Sequence, residues 1–277
     1  MDATVLRRLV IGGIAAIAAV AIALALAGGG GDGRDFDYRD PFDRFPKGGP
    51  TGTARELEQA PAAKRRLAAR LRFVSADVQA FWAQQFERAG ASYAPSRVVA
   101  FEDVTRSGCG LATAEVGPFY CVFDETVYLD LDFFRALEVE FRAPGDFAQA
   151  YVLAHEIGHH VQNVSGIFEQ VYRAIAQRRA PWQLRPLSIR LELQADCLAG
   201  VWGHSTYERG IADNGDLDEA LRAAAAVGDD RIQKQLTGRI EPERWTHGSS
   251  AQRRHWVLRG FTTGDPNACD TFSAAGT

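Results

Sequence analysis

The order His155-Glu156-Ile157-Gly158-His159 constrains this chain more than any other feature. On an α-helix, side chains four apart leave the same face with Cβ atoms about 6 Å apart, so both imidazoles can hold one zinc ion. Glu156 then sits beside the metal, where a carboxylate can take a proton from metal-activated water. The residues around this pair are nearly all apolar: Phe147, Ala148, Ala150, Tyr151, Val152, Leu153, Ala154, Ile157, Val161 and Val164. Such a composition calls for a buried, central helix over about residues 145–165. Two histidines and a glutamate on it are costly to desolvate alone, and a metal ion is the partner that fits their spacing. The alternative is histidines satisfied by core hydrogen bonds. Asp146, after Pro144 and Gly145, is the expected N-cap, while Asn163 and Gly166 supply the stop. Gly158 costs helix stability and is expected to leave room for a close neighbour.

A catalytic zinc takes three protein ligands and keeps one position open. The metzincin route to the third needs glycine at 162 and histidine at 165, but the chain has Gln162 and Ser165. The other solution is a glutamate from a later helix, and Glu192, thirty-three residues after His159, is the best candidate. Asp196 follows four positions on, on the same face, where a carboxylate can orient a ligand imidazole through its free N–H. Leu191, Leu193, Ala195, Leu198 and Ala199 bracket the pair and argue for a buried helix against a solvated face. His247 or Arg253 is expected to donate a hydrogen bond to developing charge, with a local helix-start role the alternative for His247. His160 is expected to pack behind the ligands. His204 and His255 read as structural, and Asp229 and Asp230 as helix caps or partners of Arg231.

Residues 9–27 are nineteen consecutive apolar or small residues. That length crosses a hydrocarbon core of about 30 Å as a helix. Arg7 and Arg8 precede the run and no basic residue follows until Arg34. The expectation is a single-pass membrane protein with residues 1–8 cytoplasmic, an anchor over 9–27 and the remainder extracytoplasmic. A cleaved signal peptide competes, because Ala25-Leu26-Ala27 resembles a processing site. Residues 28–53, with four glycines in a row and repeated Pro and Gly, read as a flexible linker. The folded domain spans 54–277, and 46% hydrophobic residues in a 277-residue chain suffice for a real core.

Within that domain, residues 54–88 read as helix from Leu67, Leu71, Val74, Val78 and Phe81 to Trp82 at three- and four-residue intervals. Residues 97–101, 119–122 and 126–131 read as strands and 132–142 as a short helix. Residues 186–207 and 216–227, a turn after Gly228, and a segment whose capped start lies within 246–250 and which holds Gln252, Arg253 and Trp256 read as helical. A strand edge beside the metal-binding helix can hydrogen-bond an extended substrate backbone. The sequence does not single out one of the three strands. A net charge of -4 gives no reason to expect a nucleic-acid partner, and the sequence is silent on oligomeric state. Outside the cytoplasm, Cys109 with Cys121 and Cys197 with Cys269 are the expected bridges; four buried free thiols are the alternative.

Taken together, the 155–162 stretch, Glu192-Leu193-Gln194-Ala195-Asp196-Cys197, Gly228-Asp229-Asp230 and Thr246-His247-Gly248-Ser249 resemble a bacterial family, the putative neutral zinc metallopeptidases. Gly117-Pro118-Phe119-Tyr120-Cys121 and Gly145-Asp146-Phe147-Ala148-Gln149-Ala150-Tyr151 match it too, so the likeness covers roughly residues 73 to 275. Val122, where proline is expected, and Leu198, where an aromatic is usual, depart from the pattern without touching a proposed ligand. The resemblance implies a membrane-anchored zinc peptidase acting on a peptide or protein substrate. His155, His159 and Glu192 would hold zinc, Glu156 would be general base and then proton donor, and Asp196 would stand behind the ligands. The expected fold class is α+β: a predominantly helical, zincin-like metallopeptidase domain with a small antiparallel β element, preceded by one transmembrane helix. The competing reading is a non-catalytic, zinc-stabilised interaction module at the cell surface, in which the metal only staples the fold. A base at Glu156 favours catalysis.

Overall fold

The computed structural model describes residues 62–113, 116–176 and 185–273. The expected anchor over 9–27 and linker over 28–53 lie outside them. Among the described residues no helix is long and apolar enough to cross a membrane, so the expected single-pass placement is corrected: no described element carries it.

The first described helix, α1 (Ala62–Arg88), buries Leu71, Val74, Val78 and Trp82 on one stripe, as their spacing requires. Five short strands follow: β1 (Arg97–Phe101), β2 (Val104–Ser107), β3 (Gly110–Thr113), β4 (Phe119–Cys121) and β5 (Thr126–Asp130). β4 pairs antiparallel with β5, and β1 adds to the other side of β5 in parallel, giving the order β1-β5-β4. Every residue of β5 is buried, which suits the middle strand. The connection from β1 to β4 carries the antiparallel β2–β3 hairpin, closed by the two-residue loop Gly108-Cys109. Two-residue hairpin loops favour glycine, so Gly108 and Gly110 mark a strand pair beyond the three strands expected from the sequence.

The helices are α2 (Leu131–Val139), α3 (Asp146–Val164), α4 (Ile167–Ala176), α5 (Arg185–Glu208), α6 (Asp216–Ala226), α7 (Asp229–Thr237) and α8 (Ser250–Thr263). The Asp130 side chain accepts from the Asp132 backbone N–H at 3.0 Å and starts α2, so Leu131 belongs to the helix and not to the strand. Ser249 caps α8 through a reciprocal pairing with Gln252, as the sequence indicates.

α3 lies at the centre, with α1, α5 and α6 packed around it and β4 and β5 against its side. From Phe147 to Gln162 only Gln149 escapes burial. Its start differs from expectation, because Asp146 is the first helical residue and not the cap. The Phe147 N–H instead donates to Glu219 of α6 at 3.0 Å, and Gly145 turns there at φ +134°. A Cβ at Gly145 would fall 2.0 Å from the Glu219 carboxylate, so glycine makes way for a cap that arrives from another helix.

α5 and α8 meet backbone to backbone. A Cβ on Gly200 would lie 2.2 Å from the Val257 carbonyl oxygen, and one on Gly260 would lie 2.0 Å from that of Cys197. Cys197, at this crossing, is bonded to Cys269, and away from it Cys109 in the β2–β3 loop is bonded to Cys121 of β4. The first of these closes a separation of 72 residues, a loop whose closure restricts the unfolded chain by about 4 kcal/mol. Replacing a helix-interior glycine by alanine ordinarily gains about 1 kcal/mol. Gly260→Ala is expected to lose about 2 kcal/mol or more by overpacking instead, read as a thermal midpoint several degrees lower. An unchanged or raised midpoint would contradict the backbone-to-backbone crossing.

Candidate metal centre

Gly158 sets the distance between the helices that form the site. A Cβ there would sit 3.1 Å from the Ala195 carbonyl oxygen, 3.2 Å from its Cα and 3.4 Å from its Cβ, so at this point α3 meets α5 with no side chain of its own. This contact brings Glu192 of α5 over the histidine face of α3. His155, His159 and Glu192 each offer a ligand atom, and these atoms all lie within 4.8 Å of one another, a group that could hold a metal ion. Nε2 of His155 is 3.2 Å from Oε2 of Glu192, and Nε2 of His159 is 3.5 Å from Oε1.

The other nitrogen of each ring is fixed from behind. His155 Nδ1 faces Asp196 Oδ1 at 2.8 Å, so its N–H donates to that carboxylate. His159 Nδ1 faces Gln162 Oε1 at 2.8 Å. The direction of that bond follows from the rest of the chain of amides. Gln162 Nε2 donates to the Leu191 carbonyl at 2.7 Å and to Gln194 Oε1 at 3.0 Å, and Gln194 Nε2 donates to the Cys269 carbonyl at 3.0 Å. The carbonyls accept only, so the Gln162 oxygen must accept from His159 Nδ1–H. The Nε2 lone pair of His159 then points at the ligand group.

Asp196 is fully buried and carries more than His155. Tyr151 donates its hydroxyl to Oδ1 at 2.5 Å, and Arg253 grips both oxygens through Nε and Nη2 at 2.8 Å each. Burial alone would push this carboxyl up, but the Arg253 guanidinium and His155 outweigh it and hold it below its ordinary range. Glu192 behaves alike: burial raises it, and His159, His247 and hydrogen bonds from the His155 and His159 imidazoles hold it well below the usual value. Burial lowers His155, but the Asp196 charge and the hydrogen bonds to Asp196 and Glu192 lift it to about 10. Glu156 moves the other way. Its carboxyl is raised by burial, which His155 and His159 only partly offset.

Around this group stand residues that the sequence assigns less firmly. His247 is held by Asp229, whose Oδ2 accepts from the backbone N–H groups of Thr246, His247 and Gly248 at 2.8, 2.7 and 3.0 Å. Oδ1 of the same residue is 3.3 Å from His247 Nδ1. Burial lowers the His247 imidazole, and Glu192 and Asp229 raise it above its ordinary value. Asp230 accepts from the Ser250 backbone at the start of α8, at 2.7 Å, so both aspartates organise that turn. Phe168 of α4, a helix not marked out in the sequence, brings its ring centroid to 6.1 Å from that of His159.

Two expectations are displaced. Arg253, one of two candidates for a donor to developing charge, is 4% exposed and bound to Asp196 on the Nδ1 side of His155. His160, expected to pack behind the ligands, hydrogen-bonds Tyr120 and the Ala94 carbonyl instead. The sequence also leaves Gln162, Gln194 and Tyr151 without a role. The signal available for Gln162 is its spacing, three residues beyond His159 on the same helical face.

The profile of the family described as putative neutral zinc metallopeptidase matches residues 8–272, and the chain belongs to that family. It is 51% identical over 191 residues to the uncharacterized protein YpfJ of Escherichia coli (strain K12), covering 69% of this chain and 66% of that protein. It is also 51% identical over 187 residues to the uncharacterized protein Mb2605 of Mycobacterium bovis, covering 63% and 61%. The chain thus spans somewhat less than two thirds of these relatives' length. No solved structure matches it.

Removing Arg253 tests the buried pair. Arg253→Leu leaves the Asp196 charge buried with its main partner gone, an expected loss of about 3–5 kcal/mol. A depressed carboxyl contributes stability above its unfolded value of 3.8 and loses it as pH falls through the native value. Weakening that depression moves acid unfolding of the variant to higher pH than in the parent. Coincident acid transitions in the two proteins would refute the pairing.

Proposed function

We propose that this chain is a zinc-dependent peptidase in which His155, His159 and Glu192 hold the metal and Glu156 handles protons. The observation that carries the reading is the convergence of two imidazoles from α3 with a carboxylate from α5, with the buried Glu156 in electrostatic reach of all three. Two nitrogens and one carboxylate oxygen suit zinc, and three protein donors leave a position open. The donor set fits the ion, because Asp196 and Gln162 fix both rings from the Nδ1 side and turn both Nε2 atoms inward. Bound zinc supplies Lewis acidity, polarising a carbonyl and making water a better nucleophile.

The remaining steps belong to the side chains. The Glu156 carboxylate, made more basic by burial, takes a proton from the attacking water and passes it to the departing amide nitrogen. His247, beside Glu192 with its side chain 23% exposed, donates to the carbonyl oxygen as charge develops there. An extended substrate lies along β4, since β4 is the edge strand that packs on α3.

Metal analysis and cleavage of unfolded casein test the reading together. The full-length chain is expected to carry one zinc ion, and Glu192→Ala to lose it. Gln162→Met, which frees the His159 ring, is expected to weaken zinc binding by about 10- to 100-fold in a chelator competition. Glu156→Gln keeps the metal and loses cleavage by a factor of about 100 or more. Equal cleavage with and without Glu156 would sink the peptidase reading and leave the metal as a staple of the fold.

A further inference from the structure

The third histidine of the run, His160, is absorbed by none of this chemistry, although it is fully buried beside a proposed ligand. Its ring nitrogens are both engaged. Nε2 lies 2.8 Å from the Ala94 carbonyl, which can only accept, so Nε2 carries the proton. Nδ1 is then a lone pair, and it accepts from the Tyr120 hydroxyl at 3.0 Å. The Tyr120 oxygen in turn accepts from Asn163 Nδ2 at 3.0 Å. Every member of this network has one direction available to it. Tyr93 packs edge-on against the His160 ring, with centroids 5.5 Å apart, and its hydroxyl donates to Gln79 of α1 at 2.9 Å. Gln79 also fixes Ser96, the residue before β1, through its backbone N–H at 2.9 Å and carbonyl at 2.8 Å.

Tyr120 is the middle residue of β4. Its side chain therefore fastens the sheet edge to α3 at positions 160 and 163, one step around the helix from the face that carries His155 and His159. Strand addition places a peptide relative to the metal only if the accepting edge stands at a fixed height over the site helix, and a shift of an ångström there misplaces the reacting bond. We infer that His160, with Tyr120 and Asn163, is a positioning group that sets the height of β4 over α3 for an extended peptide. This rests on the peptidase reading for the direction of the substrate, and it is separable from that reading because it concerns binding.

The test uses the full-length, zinc-loaded chain with the Glu156→Gln substitution as parent and fluorescein-labelled unfolded casein as probe, read by anisotropy. Tyr120→Phe removes the hydroxyl and with it the bonds to His160 and Asn163, and is expected to weaken binding about five- to tenfold, within the scale of two buried hydrogen bonds. His160→Phe removes the same Tyr120–His160 bond together with the His160 bond to the Ala94 carbonyl and is expected to weaken binding at least as much, with the double variant losing less than the sum of the two single losses. His160→Gln offers both an acceptor and a donor and is expected to recover most of the affinity. Zinc content stays constant throughout. Unchanged binding with only a lowered thermal midpoint, additive losses, loss of zinc, or no binding of casein by the parent would each overturn the inference. Failure of the peptidase reading looks different: the chain with Glu156 intact leaves casein uncut while the binding pattern stands.

Discussion

The arrangement depends on how closely two helices approach. Helices usually pack with axes about 8–10 Å apart, the spacing set by the side chains at the contact. At Gly158 there is none, and the Ala195 carbonyl oxygen would stand 3.1 Å from any Cβ placed there. Three ligand atoms on two helices fall within 4.8 Å of one another because of that contact. A branched side chain at 158 would wedge the helices apart and move Glu192 away from both imidazoles. The loss of helix propensity at this glycine, about 1 kcal/mol relative to alanine, is offset by the burial that the close contact permits.

Closeness of this kind crowds charge, and the surrounding residues answer it by pairing. Asp196 is buried with Arg253 on both its oxygens, Tyr151 on one and His155 on the same one. Glu192 shares the imidazoles of His155 and His159. Glu156 stands apart, with its carboxyl raised by burial and not held down as its neighbours are. Three buried carboxyl groups around these imidazoles thus differ in proton affinity, set by what each one faces.

Much of this is legible in the sequence, for physical reasons. The apolar residues around His155 and His159 indicate a buried central helix, which α3 is, and Glu192 and Asp196 lie four apart on the buried α5. The strands at 97–101, 119–121 and 126–130 show as short β-branched and aromatic runs. What remains illegible depends on tertiary partners. The cap of α3 comes from Glu219, seventy-two residues away in the chain, so the local candidate Asp146 is misread. Arg253 and His160 are residue types with several plausible uses, and only the packing of α8 on α5 and of β4 on α3 decides among them. Gln162 reads as an absence, the missing metzincin glycine, until its amide is seen to fix the His159 ring.

The end of the described chain bears on α5 in a way that concerns rotation. Cys269 is bonded to Cys197, Gln194 donates to the Cys269 carbonyl, Thr271 donates to the Arg190 carbonyl, and Arg190 donates to that of Phe272. These four ties fall on successive turns of one helix and resist its roll about its own axis. A side chain tip about 6 Å from that axis moves by about 1 Å for each 10° of roll. The terminal turn therefore works as a keyway: it holds the angular phase of α5, and with it the aim of the Glu192 carboxylate.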